Sequence, residues 1–398
     1  MNIINNNYKY LSLKQNDNNL KVKNDIDFRF KIIYFIDIIC VILSHCKKKA
    51  SIELNIQGWF EYRSFHMPLF MFSAGYFFKN KNVTTSFKYI KRKFKRLILP
   101  IYFYNIFYGI IIQILKKIGF TNNIREFSFK IIFIEPLNGS GFKYIRPSWF
   151  SSTLFYVEVY NILKRKILYS IKKKIHESVY LIIDIIISSL SVFMSNKNYN
   201  KNANVMYLLR FMHLNIYYEL GIFYKNHFEY FIKKLRNDIF FLNIFIIKFL
   251  FHIYYSTAPV FYYGASQYYN YSPFTVIIIS ILGIFFWFRI SEIIEPIAGH
   301  NYYINIIADN TFSIMINHGF AIDLVKTLFA IISKKTRYCK DFSFKKYYSL
   351  ETAYIYIPNK ILQVGILYLI SSLVIPILIQ KLINTIKKKF GIYYFLII

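Results

Sequence analysis

The chain has few cysteines and lacks several common catalytic motifs. Its three cysteines, Cys40, Cys46 and Cys339, form neither a C-x-x-C motif nor the spacing of a metal site, so neither a disulfide framework nor a metal is expected. There is no P-loop, no G-x-G-x-x-G after a strand and no H-E-x-x-H. Residues 1–28 are polar and rich in asparagine, without the apolar core of a cleavable signal peptide.

Acidic residues are also scarce. The chain has 51 Lys and Arg against 20 Asp and Glu, a formal net charge of +31. Lysine, asparagine, isoleucine, phenylalanine and tyrosine are abundant together, which is typical of the codon bias of an AT-rich genome. The basic residues fall between apolar runs, where they set membrane topology, and not on one soluble face. We therefore predict no nucleic-acid partner.

Apolar residues dominate what is present. The sequence is 55% hydrophobic and 21% aromatic. A membrane span needs roughly 20 mostly apolar residues, and about ten such runs recur along the chain. They lie near 30–46, 65–78, 97–115, 149–163, 179–194, 205–223, 239–257, 274–291, 312–332 and 361–383. We predict an all-α fold, a polytopic transmembrane helix bundle of about ten spans, in which the second and fourth are short.

The loops indicate an orientation. Lys and Arg are more numerous in the segments that share a side with the N-terminus, which predicts a multi-pass cell-membrane protein with both termini cytoplasmic. Residues 1–28 are then a flexible cytoplasmic tail and residues 386–398 a C-terminal tail. In this orientation His45 and His66 lie towards the outer side, and the basic run 91–96 lies on the cytoplasmic side.

Two histidines flank the turn between the first two apolar runs. His45 shares a helix face with Asp37, which suggests a base oriented by an acid, although about 12 Å of axial rise separates them. An interfacial histidine at a helix end is the alternative. His66 opens the second run and also fits a plain helix start, with Pro68 in the first turn. The small residues of 73–75 would let another helix approach closely.

A polar stripe crosses the sixth run. Arg210, His213 and Tyr217 are spaced i, i+3, i+7, and an arginine inside a span suggests a functional site. Arg210 could instead form a structural pair with Glu158 or Asp184.

Four further groups of polar or aromatic residues stand out in the sequence. His318 lies beside an amide inside a late run. The run 91–96 is usually a topology signal but would also suit the phosphates of a nucleotide-like donor. Arg289 and Glu292 are interpreted as a structural pair. The tyrosines of 262–271 would stack on sugar rings.

Five segments appear in an order that resembles a known family. They are 41–45, which ends in Ser-His, 65–78, which begins Phe-His-Met-Pro-Leu-Phe, and then 93–100, 148–155 and 310–318. The set resembles the acyltransferase-3 family of multi-span membrane O-acyltransferases, and residues 29–385 would form that domain. The resemblance implies transfer of an acyl group, commonly acetyl from acetyl-coenzyme A, to a hydroxyl of a surface polysaccharide or lipid-linked sugar.

The resemblance also implies roles for residues. His45 would be the catalytic imidazole and His66 part of the same site. Lys93 and Arg96, with Arg92, would face the coenzyme A donor. Tyr34 stands where the family often has arginine, and Lys93 replaces another arginine although lysine cannot make the bidentate phosphate contact.

The other expected partners are a carbohydrate acceptor and membrane lipid. Contacts to the acceptor are expected from Arg210, His213, His318 and Trp149, and no permanently bound cofactor is expected. A transporter or flippase for a lipid-linked glycan is the alternative function, since it would explain charged residues such as Arg210 and Lys248 inside spans.

Overall fold

A computed structural model describes most of the chain. It covers residues 27–46, 59–121, 125–171, 175–256, 267, 269–298, 301–350, 354–358, 361 and 363–390. Within these residues the regular structure is helical and no strand is present, which confirms the all-α prediction.

Helices of eight residues or more are numbered in chain order. They are α1 Phe28–Cys46, α2 His66–Tyr76, α3 Ser86–Lys117, α4 Ser148–Ile171, α5 Glu177–Asn196, α6 Ala203–Phe223, α7 Asn237–Tyr255, α8 Pro273–Ala298, α9 Tyr302–Asp309, α10 Thr311–Lys335 and α11 Val364–Phe390. Six of those in the described ranges, α3, α5, α7, α8, α10 and α11, are long and apolar enough to cross a membrane. A helix overlies each of the ten predicted runs, but a count of ten spans is not confirmed.

Helix α2 is shorter than a full membrane span, and helix α4 is longer than its apolar run. Helix α2 has 11 residues, a rise of about 16 Å against a hydrocarbon core of roughly 30 Å. Helix α4 was predicted to be short but has 24 residues, because it continues beyond the apolar run through Lys164 and Arg165. Acids from α5 and α6 neutralise both: Lys164 Nζ lies 2.5 Å from Asp184 Oδ2, and Arg165 Nη2 lies 2.5 Å from Glu219 Oε1.

Helix α1 is at the centre of the bundle. It packs against α2, α8, α9, α10 and α11, as expected for a helix that is apolar on most of its surface. At its first turn, Arg29 forms ion pairs with Asp27, Glu229 and Glu292, the last two at 3.1 and 3.0 Å. At its last turn it presents His45. These two ends of the bundle are called the Arg29 end and the His45 end.

Helices α2 and α6 are in backbone contact. A Cβ on Gly75 would lie 1.9 Å from the Tyr218 carbonyl oxygen, and one on Gly221 would lie 2.1 Å from the Phe72 carbonyl oxygen. The predicted close approach at residues 73–75 is therefore present in the structure, with α6 as the partner. Glycine is required at both positions because a methyl group would collide with main-chain atoms, which cannot rotate away.

We expect Gly221→Ala to lower the thermal stability of the detergent-solubilised protein. Forcing a methyl group into a closed contact typically costs about 1–3 kcal/mol, and here the helices themselves must separate. Gly319→Ala is the matched control, because its added Cβ would lie 3.8 Å from the nearest atom, Tyr144 Cδ1. That control should be neutral or slightly stabilising, since alanine has the higher helix propensity. Equal melting temperatures for the two variants would contradict the close contact.

Candidate active site

A cavity of about 870 Å³ opens at the His45 end. Its walls come from α1, α3, α4, α6, α10 and the connecting segments 125–147 and 349–350. The polar and aromatic lining residues among those described are Ser44, His45, Arg125, Asn138, Ser140, Phe142, Lys143, Tyr144, Arg146, Trp149, Arg210, His318, Asp323 and Ser349. Of the predicted site residues, the cavity therefore brings together His45, Trp149, Arg210 and His318.

Two imidazole rings meet in this cavity. The ring centroids of His45 and His318 are 4.8 Å apart, with the planes inclined at 44°. His45 is exposed, whereas His318 is 2% exposed. Helices α1 and α10 pack against each other, so the pair is held by two elements far apart in sequence.

Hydrogen bonds to the main chain fix the tautomer of His318. Its Nδ1 lies 3.1 Å from the Ile314 carbonyl oxygen and 2.8 Å from that of Met315. A carbonyl oxygen only accepts, so Nδ1 must carry the proton that it donates. In the neutral ring the lone pair is then on Nε2, which can accept a proton or a hydrogen bond.

His66 is held in the same way but lies outside the cavity lining. Its Nδ1 donates to the Tyr62 carbonyl oxygen at 2.6 Å, and the residue is 6% exposed. It remains close enough to His45 to act on the charge of that ring. The ring that faces His45 across the cavity is thus His318, which the spacing of the sequence did not indicate.

Arg210 lies over the indole of Trp149. Its guanidinium carbon is 4.7 Å from the ring centroid, and its Nη1 donates to the Asn138 carbonyl oxygen at 3.2 Å. The acids suggested as its partners bind lysines instead: Glu158 Oε1 lies 2.5 Å from Lys93 Nζ, and Asp184 pairs with a lysine of α4. A cation stacked on an aromatic face is stabilised by the ring quadrupole.

His213 lies away from the cavity lining. It is fully buried between Ser188, whose hydroxyl is 3.0 Å from Nδ1, and Tyr217, whose hydroxyl is 3.3 Å from Nε2. Tyr269 packs on its ring at a centroid distance of 5.2 Å and is itself 2% exposed. Most of 262–271 lies outside the described residues, and the described Tyr269 packs in the interior.

The basic run lies towards the Arg29 end. Lys93 is engaged by its ion pair with Glu158, and Arg92 lies 5.3 Å above the ring of Tyr89. Arg96 is exposed and close enough to Tyr34 to interact electrostatically. Tyr34 precedes His45 on α1 by eleven residues, so about 16 Å along the helix axis separates these two residues.

A cluster of polar residues that the sequence analysis did not identify lines one wall of the cavity. Asp323 on α10 accepts hydrogen bonds from Lys143 Nζ at 2.6 Å and from the Tyr144 hydroxyl at 2.7 Å. Elsewhere in the connecting segment 125–147, the Ile131 carbonyl oxygen accepts a hydrogen bond from the Asn105 amide on α3 at 2.9 Å. The signal available in the sequence was an acid in an apolar run, five residues after His318.

The pH dependence of stability should reveal this cluster. Burial lowers the pKa of the Lys143 ammonium to about 8, although Asp323 opposes the shift. The unfolded chain therefore binds more protons than the folded one between about pH 8 and 10.4, and this group adds stability as pH rises through that window. In Lys143→Arg the guanidinium stays charged, so the melting temperature of the wild type relative to this variant should increase from pH 8 upwards. A difference that is constant with pH would contradict the burial of Lys143.

Apolar helices around a cavity lined by two neighbouring histidines define a helical membrane protein. A comparison with protein families places the chain more exactly. The model of the acyltransferase-3 family, described as an acyltransferase domain, matches residues 33–381. The chain belongs to this family and is a membrane acyltransferase. No curated protein and no solved structure matches it.

Proposed function

We propose that the protein is an integral-membrane O-acetyltransferase that moves acetyl from acetyl-coenzyme A to a hydroxyl of a surface polysaccharide or lipid-linked sugar. The observation that supports this most is the His45–His318 pair in the cavity, with rings 4.8 Å apart. A volume of about 870 Å³ is within the usual range for a small-molecule site. The family supports acyl transfer in general.

The transfer step follows from general acid–base chemistry. His45 takes the proton of the acceptor hydroxyl while the oxygen attacks the carbonyl carbon of the thioester. The carbon–sulfur bond then breaks, and the proton passes to the leaving thiolate, which yields the acetyl ester and free coenzyme A. His318 supports the step because Nε2 of its neutral ring can accept a hydrogen bond from the imidazolium that forms on His45.

The donor phosphates are assigned to the other end of the bundle. Arg92 and Arg96 are exposed there and offer guanidinium groups that suit phosphate geometry. Lys93 is a weaker candidate because its charge is already paired with Glu158. With the N-terminus inside, this end is cytoplasmic and the His45 end faces outwards.

We expect His45→Ala to abolish transfer of labelled acetyl to glycan in membranes, while the variant still inserts. Loss of a general base typically lowers the rate by about 10²–10⁴-fold. His318→Ala should be impaired too, because the charge on His45 loses its support. His227→Ala is the control, since this half-buried ring contacts Phe223 and Glu177 and not the cavity. Wild-type acetylation by His45→Ala would remove that residue from the mechanism, and a glycan flippase would transfer no label at all.

The donor assignment has its own test. Arg96→Gln should raise the KM for acetyl-coenzyme A about tenfold or more, because a charged hydrogen bond to phosphate is lost. Its effect on the KM for the acceptor should be small. Lys117→Gln, at the opposite end of the same helix, is the matched control. An unchanged KM for the donor in Arg96→Gln would show that the phosphates bind elsewhere.

A further inference from the structure

The connecting segment 125–147 forms one wall of the cavity, and a buried polar side chain of α3 holds this wall. Asn105 is 0% exposed and does not belong to the described lining. Building on the acetyl transfer proposed above, we propose that Asn105 is a positioning residue for that reaction. Its amide fixes segment 125–147 in the bundle, so that the wall places the acceptor hydroxyl at His45.

The first limb of the segment, residues 125–133, runs along α3 into the bundle. The Gln113 amide donates to the Arg125 carbonyl oxygen at 3.1 Å, and the rings of Tyr102 and Phe133 lie 5.8 Å apart. The two contacts are eleven positions apart on α3, which corresponds to about 16 Å along the helix axis. The first limb therefore reaches the apolar part of the bundle, where lipid offers no hydrogen bonds to its main chain.

The return limb, residues 138–144, lines the cavity over its whole length. Its last residue, Tyr144, packs on Tyr108 of α3 at a centroid distance of 5.0 Å. Tyr144 also lies beside α10, because a Cβ on Gly319 would be 3.8 Å from its Cδ1 atom. Gly319 directly follows His318, so a shift of the return limb would change the space next to that imidazole.

Asn105 bonds to the main chain of both limbs. Its Nδ2 donates to the Ile131 carbonyl oxygen at 2.9 Å and to that of Ile132 at 3.4 Å, and the Phe142 N–H donates to its Oδ1 at 3.0 Å. These partners fix the orientation of the amide, because a main-chain carbonyl only accepts and an N–H only donates. An asparagine suits the position because it offers a donor and an acceptor in one planar group.

The return limb fits closely against this amide. A Cβ on Gly141 would lie 2.4 Å from Asn105 Oδ1, so the limb cannot come nearer to α3. The hydrogen bond from Phe142 prevents the limb from moving away. Acyl transfer needs the acceptor oxygen in line with the thioester carbon, and a misplacement of about 1 Å can cost roughly 10²-fold in rate. A wall fixed from both directions meets that requirement.

Asn105→Leu removes both hydrogen-bonding groups with little change in volume. We expect the transfer of labelled acetyl to glycan in membranes, per amount of folded protein, to fall about 10²-fold. The KM for acetyl-coenzyme A should stay unchanged, because the donor phosphates are assigned to the other end of the bundle. Gln113→Leu is the matched control: it loses one bond to the same segment, but at an exposed position where water replaces it. A wild-type rate for Asn105→Leu would overturn the inference.

A double-mutant cycle keeps the test decisive if Asn105→Leu does not fold. Gly141→Ala alone should slow transfer about tenfold or more, because its methyl group pushes the return limb away from Asn105 Oδ1. In the background of Asn105→Ala the oxygen is gone, and adding Gly141→Ala should cost much less. Residues in contact show this kind of coupling, whereas independent effects add. Additive losses in the cycle would contradict the role of Asn105.

Labelling of Ser140→Cys with a water-soluble maleimide reports the position of the wall without relying on turnover. Ser140 is exposed at the cavity, whereas the three native cysteines are buried. Adding Asn105→Leu should raise the labelling rate severalfold, because a limb that is no longer held opens more often. Adding Gly221→Ala, which destabilises a different contact, should not.

The same samples separate this inference from the proposed function. Faster labelling with Asn105→Leu, but no acetyl transfer by the wild type, would support the role of Asn105 in holding the wall and reject the proposed transfer. Acetyl transfer by the wild type, with unchanged labelling and an unchanged rate in Asn105→Leu, would support the enzyme and reject Asn105 as a positioning residue.

Discussion

The constraint that shapes this bundle is the cost of placing charge among apolar helices. An isolated charged side chain is strongly unfavourable there, and it persists only with a partner or next to a polar cavity. Helices α4, α5 and α6 meet around a group of paired charges, in which Lys164 Nζ lies 2.5 Å from Asp184 and 3.0 Å from Glu219. At the Arg29 end, a second group of ion pairs connects α1 to Glu229 and Glu292.

These paired groups leave the His45 end as the place where polar side chains surround open space. Helix α1 supplies one imidazole and α10 the other, and the main-chain carbonyls of α10 hold the proton of His318 on Nδ1. The segment 125–147 is tied to α3 through Asn105 and to α10 through Asp323, so the cavity wall is anchored at both sides. Rigid anchoring of this kind suits a site that must hold two substrates in register.

Much of the fold could be anticipated, and so could part of the site. Apolar runs located the helices, and the small residues near Gly75 indicated the close contact with another helix. The length of α4 could not be anticipated, because the lysine and arginine that ended its apolar run are neutralised by acids on other helices. Proximity in sequence favoured His66 as the partner of His45, whereas packing of α10 against α1 places the ring of His318 4.8 Å from that of His45.

Composition and the spacing of apolar residues were sufficient for an all-α membrane bundle, because hydrocarbon imposes the same requirement on each helix separately. The family was indicated by the resemblance of five ordered segments between residues 41 and 318. Which helices touch depends on the complementary shapes and charges of residues hundreds of positions apart, and no local pattern encodes it. The facing imidazoles of His45 and His318, the stacking of Arg210 on Trp149 and the ion pair of Lys143 with Asp323 therefore emerge only when the helices pack.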